Sequence, residues 1–171
     1  RISARQLAEL IAKIPTNQPV IVIGHSLGTM VTRYYVEHLG GKNRIEKIIL
    51  MGGPHKGAVK GLVSMLVAPQ VLPFGLMGER LREIMITFPT SYQIMPDYAV
   101  GTDQHGNKIN FLQDVRWLDP KYLPLIKLGQ EFRKELGSTA STPTVCIFGY
   151  GVKTISDVSV TRDADGKLQH V

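Results

Sequence analysis

The chain has 171 residues, its 20 basic and 14 acidic side chains give a formal net charge of +6, and 43% of its residues are hydrophobic. This length allows one ordinary domain with a buried core, and the high apolar fraction excludes a disordered segment. The single cysteine, Cys146, excludes a disulfide within the chain. No apolar run reaches the roughly 20 residues that a membrane-spanning helix needs.

The basic side chains are scattered along the chain, without a dense basic tract and without interleaved aromatic residues. Nucleic acid is therefore not expected as a partner. The positive charge would favour contact with an anionic membrane or lipid surface, unless these side chains only solvate helix faces. Because the chain begins at Arg1 inside a predicted helix and without an initiator methionine, we expect a fragment of a longer protein, and the compartment stays open.

The first third of the chain predicts a βαβ unit. Apolar residues at helical spacing predict a surface helix over 1–14, and the β-branched run at 19–23 predicts a central strand buried on both faces. A second helix over 29–39 and a second buried strand over 45–51 follow. A strand, a helix and a strand within about 30 residues imply two parallel strands joined by a crossover.

The rest of the chain has a weaker strand signal and is predicted to be mostly helical up to residue 142. Its predicted elements are helices over 80–86 and 119–136, a hairpin tip at 101–108, a third buried strand over 144–150 with an inert Cys146, and a terminal hairpin within 158–171. The predicted fold class is α/β, a parallel sheet with an inserted, mostly helical cap. We divide the chain into a core over 1–53, a cap-like insertion over 54–142 and a C-terminal strand and hairpin over 143–171.

The pentapeptide Gly24-His25-Ser26-Leu27-Gly28 lies between the first predicted strand and the helix that follows it. A sharp strand-to-helix turn strains the backbone and holds a serine hydroxyl where a base from another loop can reach it. Gly24 and Gly28 would let the neighbouring backbone crowd this turn without collision. The N–H of Leu27 and the start of the helix would face a developing oxyanion. Ser26 is therefore the predicted nucleophile, and a purely structural glycine turn is the alternative.

The histidine and acidic residues do not complete a catalytic site. His25 adjoins Ser26 on a tight turn, so we interpret it as a packed imidazole beside the turn and not as the base. His55 follows the second strand and is a candidate for lining the site. Asp157 is a weak candidate for the acid. The run 163–166 has only part of the ligand pattern of a calcium loop, so we expect no metal and no cofactor.

Four ordered blocks carry a resemblance to a known family. They are the pentapeptide at 24–28, Gly-Pro-His-Lys-Gly at 53–57, Phe-Pro-Thr-Ser-Tyr-Gln-Ile-Met-Pro at 88–96, and Cys-Ile-Phe-Gly-Tyr-Gly-Val-Lys-Thr at 146–154. Together they resemble the lecithin:cholesterol acyltransferase-like α/β-hydrolases. The resemblance implies part of an α/β-hydrolase sheet, a Ser-Asp-His triad, lipid-like acyl esters as substrates and an inserted cap.

The resemblance also implies that the acid follows the third strand in a Gly-Asp-Gly-Thr-Val-like block and that the base comes later. Neither block occurs before Val171. We therefore expect the acid and the base to lie beyond this chain. A serine without its triad partners retains only residual catalysis, so the chain alone is predicted to be nearly inactive on esters.

Three functions of different classes fit these residues. They are a lipid acyl hydrolase or O-acyltransferase, an esterase for small substrates, and a non-catalytic lipid-binding relative. The apolar segment 60–77 either gives an acyl chain a path to Ser26 or packs as the core of the cap. An exposed apolar surface formed by Val63, Leu66, Val67 and Leu72 would favour the first of these two roles.

Overall fold

The computed structural model of the chain describes residues 1–68 and 78–171, so Leu72 and part of the predicted apolar segment lie outside the described residues. The described residues form a mixed α/β structure. The helices are α1 (Ile2–Ala12), α2 (Leu27–His38), α3 (Val59–Leu66), α4 (Gly78–Thr87), α5 (Pro89–Gln93) and α6 (Leu123–Leu136). The strands are β1 (Ile21–His25), β2 (Lys47–Met51), β3 (Gly101–Thr102), β4 (Lys108–Ile109), β5 (Thr144–Ile147), β6 (Val158–Ser159), β7 (Thr161–Arg162) and β8 (Leu168–His170).

The contacts divide the chain into two compact units. The core unit comprises residues 1–55 and 135–152, and the insertion unit comprises residues 56–134 and 153–171. Each unit has its own cluster of buried apolar side chains.

The core unit is built on a parallel sheet with the strand order β1-β2-β5. Ile23 of β1 pairs with Ile49 of β2, and Ile49 pairs with Val145 of β5. Helix α2 joins β1 to β2, so the βαβ unit predicted from the sequence is confirmed. Because parallel strands end at the same edge of a sheet, the residues that follow His25, Met51 and Ile147 are neighbours in the fold.

Helices α1 and α2 cover the sheet. Their buried side chains include Ala4 and Val36, and they pack with Ile48 and Leu50 of β2 into one apolar cluster. Burying such side chains removes apolar surface from water, which is the dominant favourable contribution to folding. This packing holds the first turn of α2 against the carboxyl end of β1.

The predictions that the first strand is buried on both faces and that the third strand is buried are wrong. In β1, Ile21 is 52% and Ile23 is 63% exposed, and all four residues of β5 are exposed. Both strands lie at the edges of the three-stranded sheet, and successive side chains of a strand point to opposite faces. Cys146 is accordingly exposed, contrary to the prediction that it is buried.

The insertion unit combines helices with short strands. Helix α4 confirms the predicted helix at 80–86, and the predicted helix at 119–136 forms a 3₁₀ turn over Pro120–Tyr122 followed by α6. The hairpin tip at 101–108 is confirmed by the antiparallel pairing of β3 with β4. Strands β7 and β8 form the terminal hairpin, whereas β6 pairs in parallel with β3. The most deeply buried large side chains of this unit include those of Tyr92 and Phe111.

The apolar side chains of α3 mainly pack into the apolar cluster of the insertion unit. Leu62 and Met65 are fully buried, while Val63 and Leu66 are half-buried and pack against the same cluster. Val67 is also half-buried. The described part of the apolar segment therefore favours the packing role over an exposed apolar surface. Across the ranges 1–68 and 78–171, none of the helices combines the length and the apolar character required to span a membrane.

Candidate active site

Ser26 alone makes the turn between β1 and α2. Strand β1 ends at His25, helix α2 begins at Leu27, and Ser26 has φ 52° and ψ −124°. Among the non-glycine residues that the structure describes, Ser26 has the one positive φ. A residue with a side chain in such a conformation costs about 1–3 kcal/mol, and this cost persists only where surrounding contacts hold the backbone.

Contacts hold the Ser26 backbone on both sides. Its N–H donates to the carbonyl oxygen of Met51 at 2.9 Å, which ties the turn to the end of β2. Its carbonyl oxygen accepts from the N–H of Thr29 at 3.1 Å and from the Thr29 hydroxyl at 2.6 Å. The strained conformation is thus fixed by the neighbouring strand and by the first turn of α2.

The Ser26 side chain does not cap the helix. Serine is among the best N-cap residues, because its hydroxyl oxygen usually accepts an N–H from the first turn when its backbone is extended. Ser26 occupies the N-cap of α2 with a different backbone conformation and makes no such side-chain bond. Since Ser26 is also exposed, its hydroxyl is presented to solvent at the carboxyl edge of the sheet.

The two glycines of the pentapeptide differ in the space that a side chain would have at each position. A Cβ on Gly24 would lie 2.9 Å from the carbonyl oxygen of Gly28 and 2.9 Å from Cα of Thr29. A Cβ on Gly28 would meet nothing within 4 Å. Crowding of the turn therefore requires a glycine at position 24, whereas the prediction that crowding also requires Gly28 is wrong.

The residues on either side of Ser26 are accessible. Leu27 is 37% exposed and is the first residue of α2, whose first N–H groups have no acceptor within the helix. These N–H groups and the helix dipole favour negative charge at this end of α2. His25 is exposed, so the prediction of a packed imidazole is wrong: His25 lies on an edge strand, and α1 and α2 do not bury it.

The loop after β2 approaches this turn. Gly52 has φ 55° and its N–H donates to the carbonyl oxygen of Ile147 at 2.9 Å, so the ends of β2 and β5 are joined. A Cβ on Gly53 would collide with the Thr29 hydroxyl oxygen and would lie 2.9 Å from Nε2 of His55. The half-buried His55 ring is thus beside Gly53, where the hydroxyl of Thr29 also packs.

Two of the sequence blocks meet inside the insertion unit. Gly57 has φ 101°, and a Cβ there would collide with the backbone of Pro96. The N–H of Ala58 donates to the carbonyl oxygen of Ile94 at 2.8 Å. The glycine at the end of the block 53–57 is therefore required for its contact with the block 88–96.

Sequence reasoning missed two buried polar residues near the turn. Thr29 is fully buried, and Arg33, one helical turn later, is 5% exposed. The Arg33 guanidinium donates to the carbonyl oxygens of Leu136, Gly137 and Thr139, at and beyond the end of α6. Both residues read as ordinary polar positions of an amphipathic helix, so no local signal distinguishes them.

The acidic candidates lie in the insertion unit. Asp157 is exposed and accepts a hydrogen bond from the Ser156 hydroxyl at 2.7 Å. Asp163 accepts hydrogen bonds from the N–H of Lys167, the side chain of Gln169 and the N–H of Asp165, and these bonds hold the pKa of Asp163 below its ordinary value. Asp163 is thus a turn-forming residue. No group of three or more potential metal ligands occurs in the described part of the chain.

Comparison with known proteins assigns the chain to a family. The model of the family described as lecithin:cholesterol acyltransferase matches residues 4–120, which is more than half of the chain. This match includes the first three sequence blocks, whereas the block 146–154 lies outside it. No curated protein matches the chain. The resemblance predicted from the sequence is confirmed, and the chain belongs to the lecithin:cholesterol acyltransferase family.

Proposed function

We propose that the protein is a serine acyl hydrolase or O-acyltransferase that acts on lipid-like acyl esters, with Ser26 as the nucleophile. Membership of the family implies acyl transfer or ester hydrolysis on lipids in general. The observation that supports the finer proposal is the strained, exposed Ser26 at the turn between β1 and α2, with a hydroxyl that does not cap the helix. A strained turn of this kind presents a serine for attack.

In the proposed reaction, Oγ of Ser26 attacks the acyl carbonyl carbon while a base takes the hydroxyl proton. The carbonyl oxygen becomes an oxyanion, and the N–H of Leu27 donates to it at the N-terminus of α2. Collapse of the tetrahedral intermediate breaks the ester bond, and the alcohol leaves with the proton from the base. Water or a second alcohol then attacks the acyl-enzyme, which releases the acyl group and restores Ser26.

Other residues have supporting roles in this proposal. Gly24 and His25 lead into the Ser26 turn and Gly28 follows it, and His55 lines the site from the loop after β2. We further propose that the sheet is part of an α/β-hydrolase fold, with residues 1–53 and 143–171 as its core and residues 54–142 as a cap. The separate apolar clusters support a boundary near residue 55, whereas residues 153–171 pack with the insertion unit and depart from this division.

A fluorophosphonate probe tests the assignment of the nucleophile, because it reacts covalently with an activated serine hydroxyl. We expect the full-length protein to be labelled and Ser26→Ala to abolish the label. Ser156→Ala is the matched control, since Ser156 is an exposed serine whose hydroxyl donates to a carboxylate. Labelling that persists in Ser26→Ala, or that disappears only in Ser156→Ala, would contradict the proposal.

The substrate class is tested by the rate of hydrolysis of a series of esters of increasing acyl length. A lipid acyl hydrolase is expected to prefer long chains, since each additional buried methylene group contributes about 0.8 kcal/mol. A preference for acetyl esters would instead identify an esterase for small substrates. Absence of Ser26 labelling, together with binding to lipid vesicles, would identify a non-catalytic lipid-binding relative.

We also propose that the protein contacts an anionic lipid surface through the residues that follow β5. Phe148, Tyr150 and Val152 are 78%, 92% and 80% exposed, the exposed Lys153 follows them, and the chain carries a net charge of +6. Exposed aromatic side chains next to basic residues suit the boundary between water and an anionic bilayer.

Flotation with vesicles of phosphatidylcholine and phosphatidylserine tests this contact. We expect the wild-type protein to float with these vesicles, and the triple substitution of Phe148, Tyr150 and Val152 by serine to abolish flotation. Leu10→Ser is the control, because Leu10 is a 60% exposed apolar residue on α1. Equal flotation of the triple variant and the wild type would refute the assigned surface.

A further inference from the structure

The strained conformation of Ser26 needs a contact on its carbonyl side. On the amino side, the N–H of Ser26 is fixed to Met51 of the neighbouring strand. On the carbonyl side, Thr29 donates two hydrogen bonds to the Ser26 carbonyl oxygen, and the bond from its hydroxyl, at 2.6 Å, is shorter than the one from its N–H, at 3.1 Å. Thr29 therefore helps the start of α2 to fix the rotation of the Ser26 carbonyl, which sets ψ.

The Thr29 hydroxyl is held in place by its surroundings. Thr29 is fully buried, so its hydroxyl cannot exchange the Ser26 carbonyl for water. Gly53 faces it from the loop after β2, and a side-chain carbon at position 53 would collide with the hydroxyl oxygen. The space for this oxygen exists because residue 53 is a glycine.

The Thr29 hydroxyl donates towards the N-cap residue, to the carbonyl three residues earlier in the chain. At most helix N-termini, the N-cap side chain accepts a hydrogen bond from the third residue of the helix. Here the third residue, Thr29, donates its hydroxyl to the N-cap carbonyl, and the Ser26 side chain makes no cap bond. The helix start is thus stabilised without using the hydroxyl of Ser26.

We propose that Thr29 is a positioning residue for Ser26, acting together with Gly53. Its buried hydroxyl holds the Ser26 carbonyl, keeps φ and ψ in the strained region, and so aims Oγ away from the helix. This inference rests on the proposed function of Ser26 as a nucleophile. Loss of the hydroxyl would let the backbone relax towards a conformation in which Oγ turns to cap α2, where it is less available for attack.

The test compares three variants of the full-length protein by the second-order rate of fluorophosphonate labelling and by kcat and KM on a long-chain ester. Thr29→Val removes the hydroxyl with little change of shape, and we expect the labelling rate and kcat to fall about 2- to 10-fold with KM unchanged. Thr29→Ser keeps the hydroxyl and is expected to retain both rates within about twofold. Thr32→Val is the matched control, because Thr32 is a buried threonine on the same helix.

Gly53→Ala is a second way to break the hydrogen bond from the Thr29 hydroxyl to the Ser26 carbonyl, because the new methyl group displaces this hydroxyl. We expect it to lower the labelling rate as Thr29→Val does. Melting temperatures of all variants identify any loss of rate that reflects unfolding, and rescue by Thr29→Ser separates positioning from packing.

The possible results separate this proposal from the one on which it rests. If the wild-type protein is labelled at Ser26 and Thr29→Val is labelled equally fast, the positioning role is refuted and the nucleophile stands. An equal loss in Thr29→Val and Thr32→Val, or no rescue by Thr29→Ser, also refutes positioning. If the wild-type protein is not labelled at Ser26, the proposed function fails, and the positioning role fails with it.

Discussion

Replacing Gly24 by alanine is expected to destabilise the turn at Ser26, whereas the same change at Gly28 is not. The Cβ of Gly24→Ala would lie 2.9 Å from the Gly28 carbonyl oxygen, 2.9 Å from Cα of Thr29 and 2.9 Å from Oγ1 of Thr32. Two of these three atoms belong to the backbone of α2 and cannot rotate away. The start of the helix must therefore move, or the strand must bend.

The expected cost follows from this crowding. Inserting a methyl group into a well-packed site costs about 1–3 kcal/mol. For a protein of this size, each kcal/mol lowers the melting temperature by about 2–4 °C, so Gly24→Ala is expected to melt roughly 2–12 °C below the wild type. Because the shift displaces the residues on both sides of Ser26, fluorophosphonate labelling is expected to slow as well.

Gly28→Ala is the matched control. A Cβ at Gly28 meets nothing within 4 Å, and Gly28 is the second residue of α2. Alanine is favoured over glycine in a helix by up to about 1 kcal/mol, so the melting temperature should be unchanged or higher by up to about 4 °C.

Thermal unfolding followed by circular dichroism at 222 nm measures both variants under one condition. We expect the two curves to lie on opposite sides of the wild-type curve, or only that of Gly24→Ala to be shifted. Equal melting temperatures for the two variants, or a lower one for Gly28→Ala, would refute it.

Three further substitutions test contacts elsewhere in the two units. Arg33→Met removes a buried guanidinium that donates to three carbonyl oxygens, and we expect urea denaturation to show a loss of about 2–4 kcal/mol, since buried acceptors left unpaired are costly. Hydrogen bonds from Arg116 lower the pKa of Asp114 from 3.8 to about 2, with a contribution from the positive charge of Arg162. The ionised Asp114 therefore stabilises the fold above about pH 4, and this contribution is lost as the pH falls towards 2. Asp114→Asn should be less stable than the wild type by about 1–2 kcal/mol at pH 7. The urea midpoints of the two proteins should converge near pH 2. Tyr92→Phe removes a buried hydroxyl that donates to the Ile86 carbonyl at 2.7 Å, and a loss of about 1–2 kcal/mol is expected in the same assay, whereas a change below about 0.3 kcal/mol would contradict a role for this bond.

The sequence by itself determined the order of the elements around Ser26. The spacing of apolar residues predicted the strand, the helix and the second strand, and the structure confirms their parallel pairing. The pentapeptide located the turn correctly, because it lies between an apolar run typical of a strand and apolar spacing typical of a helix. These features depend on residues close together in the chain, and a local pattern suffices to predict them.

Only the tertiary structure decided which faces and which glycines matter. The apolar run of β1 predicted burial on both faces, but α1 and α2 cover one face of the sheet and Ile23 is exposed. The distinction between Gly24 and Gly28 arises from the path of α2, and the contact of Thr29 with Gly53 joins α2 to the loop after β2. Such contacts join atoms of residues that are distant in sequence, and the residue types alone do not predict the distances between these atoms.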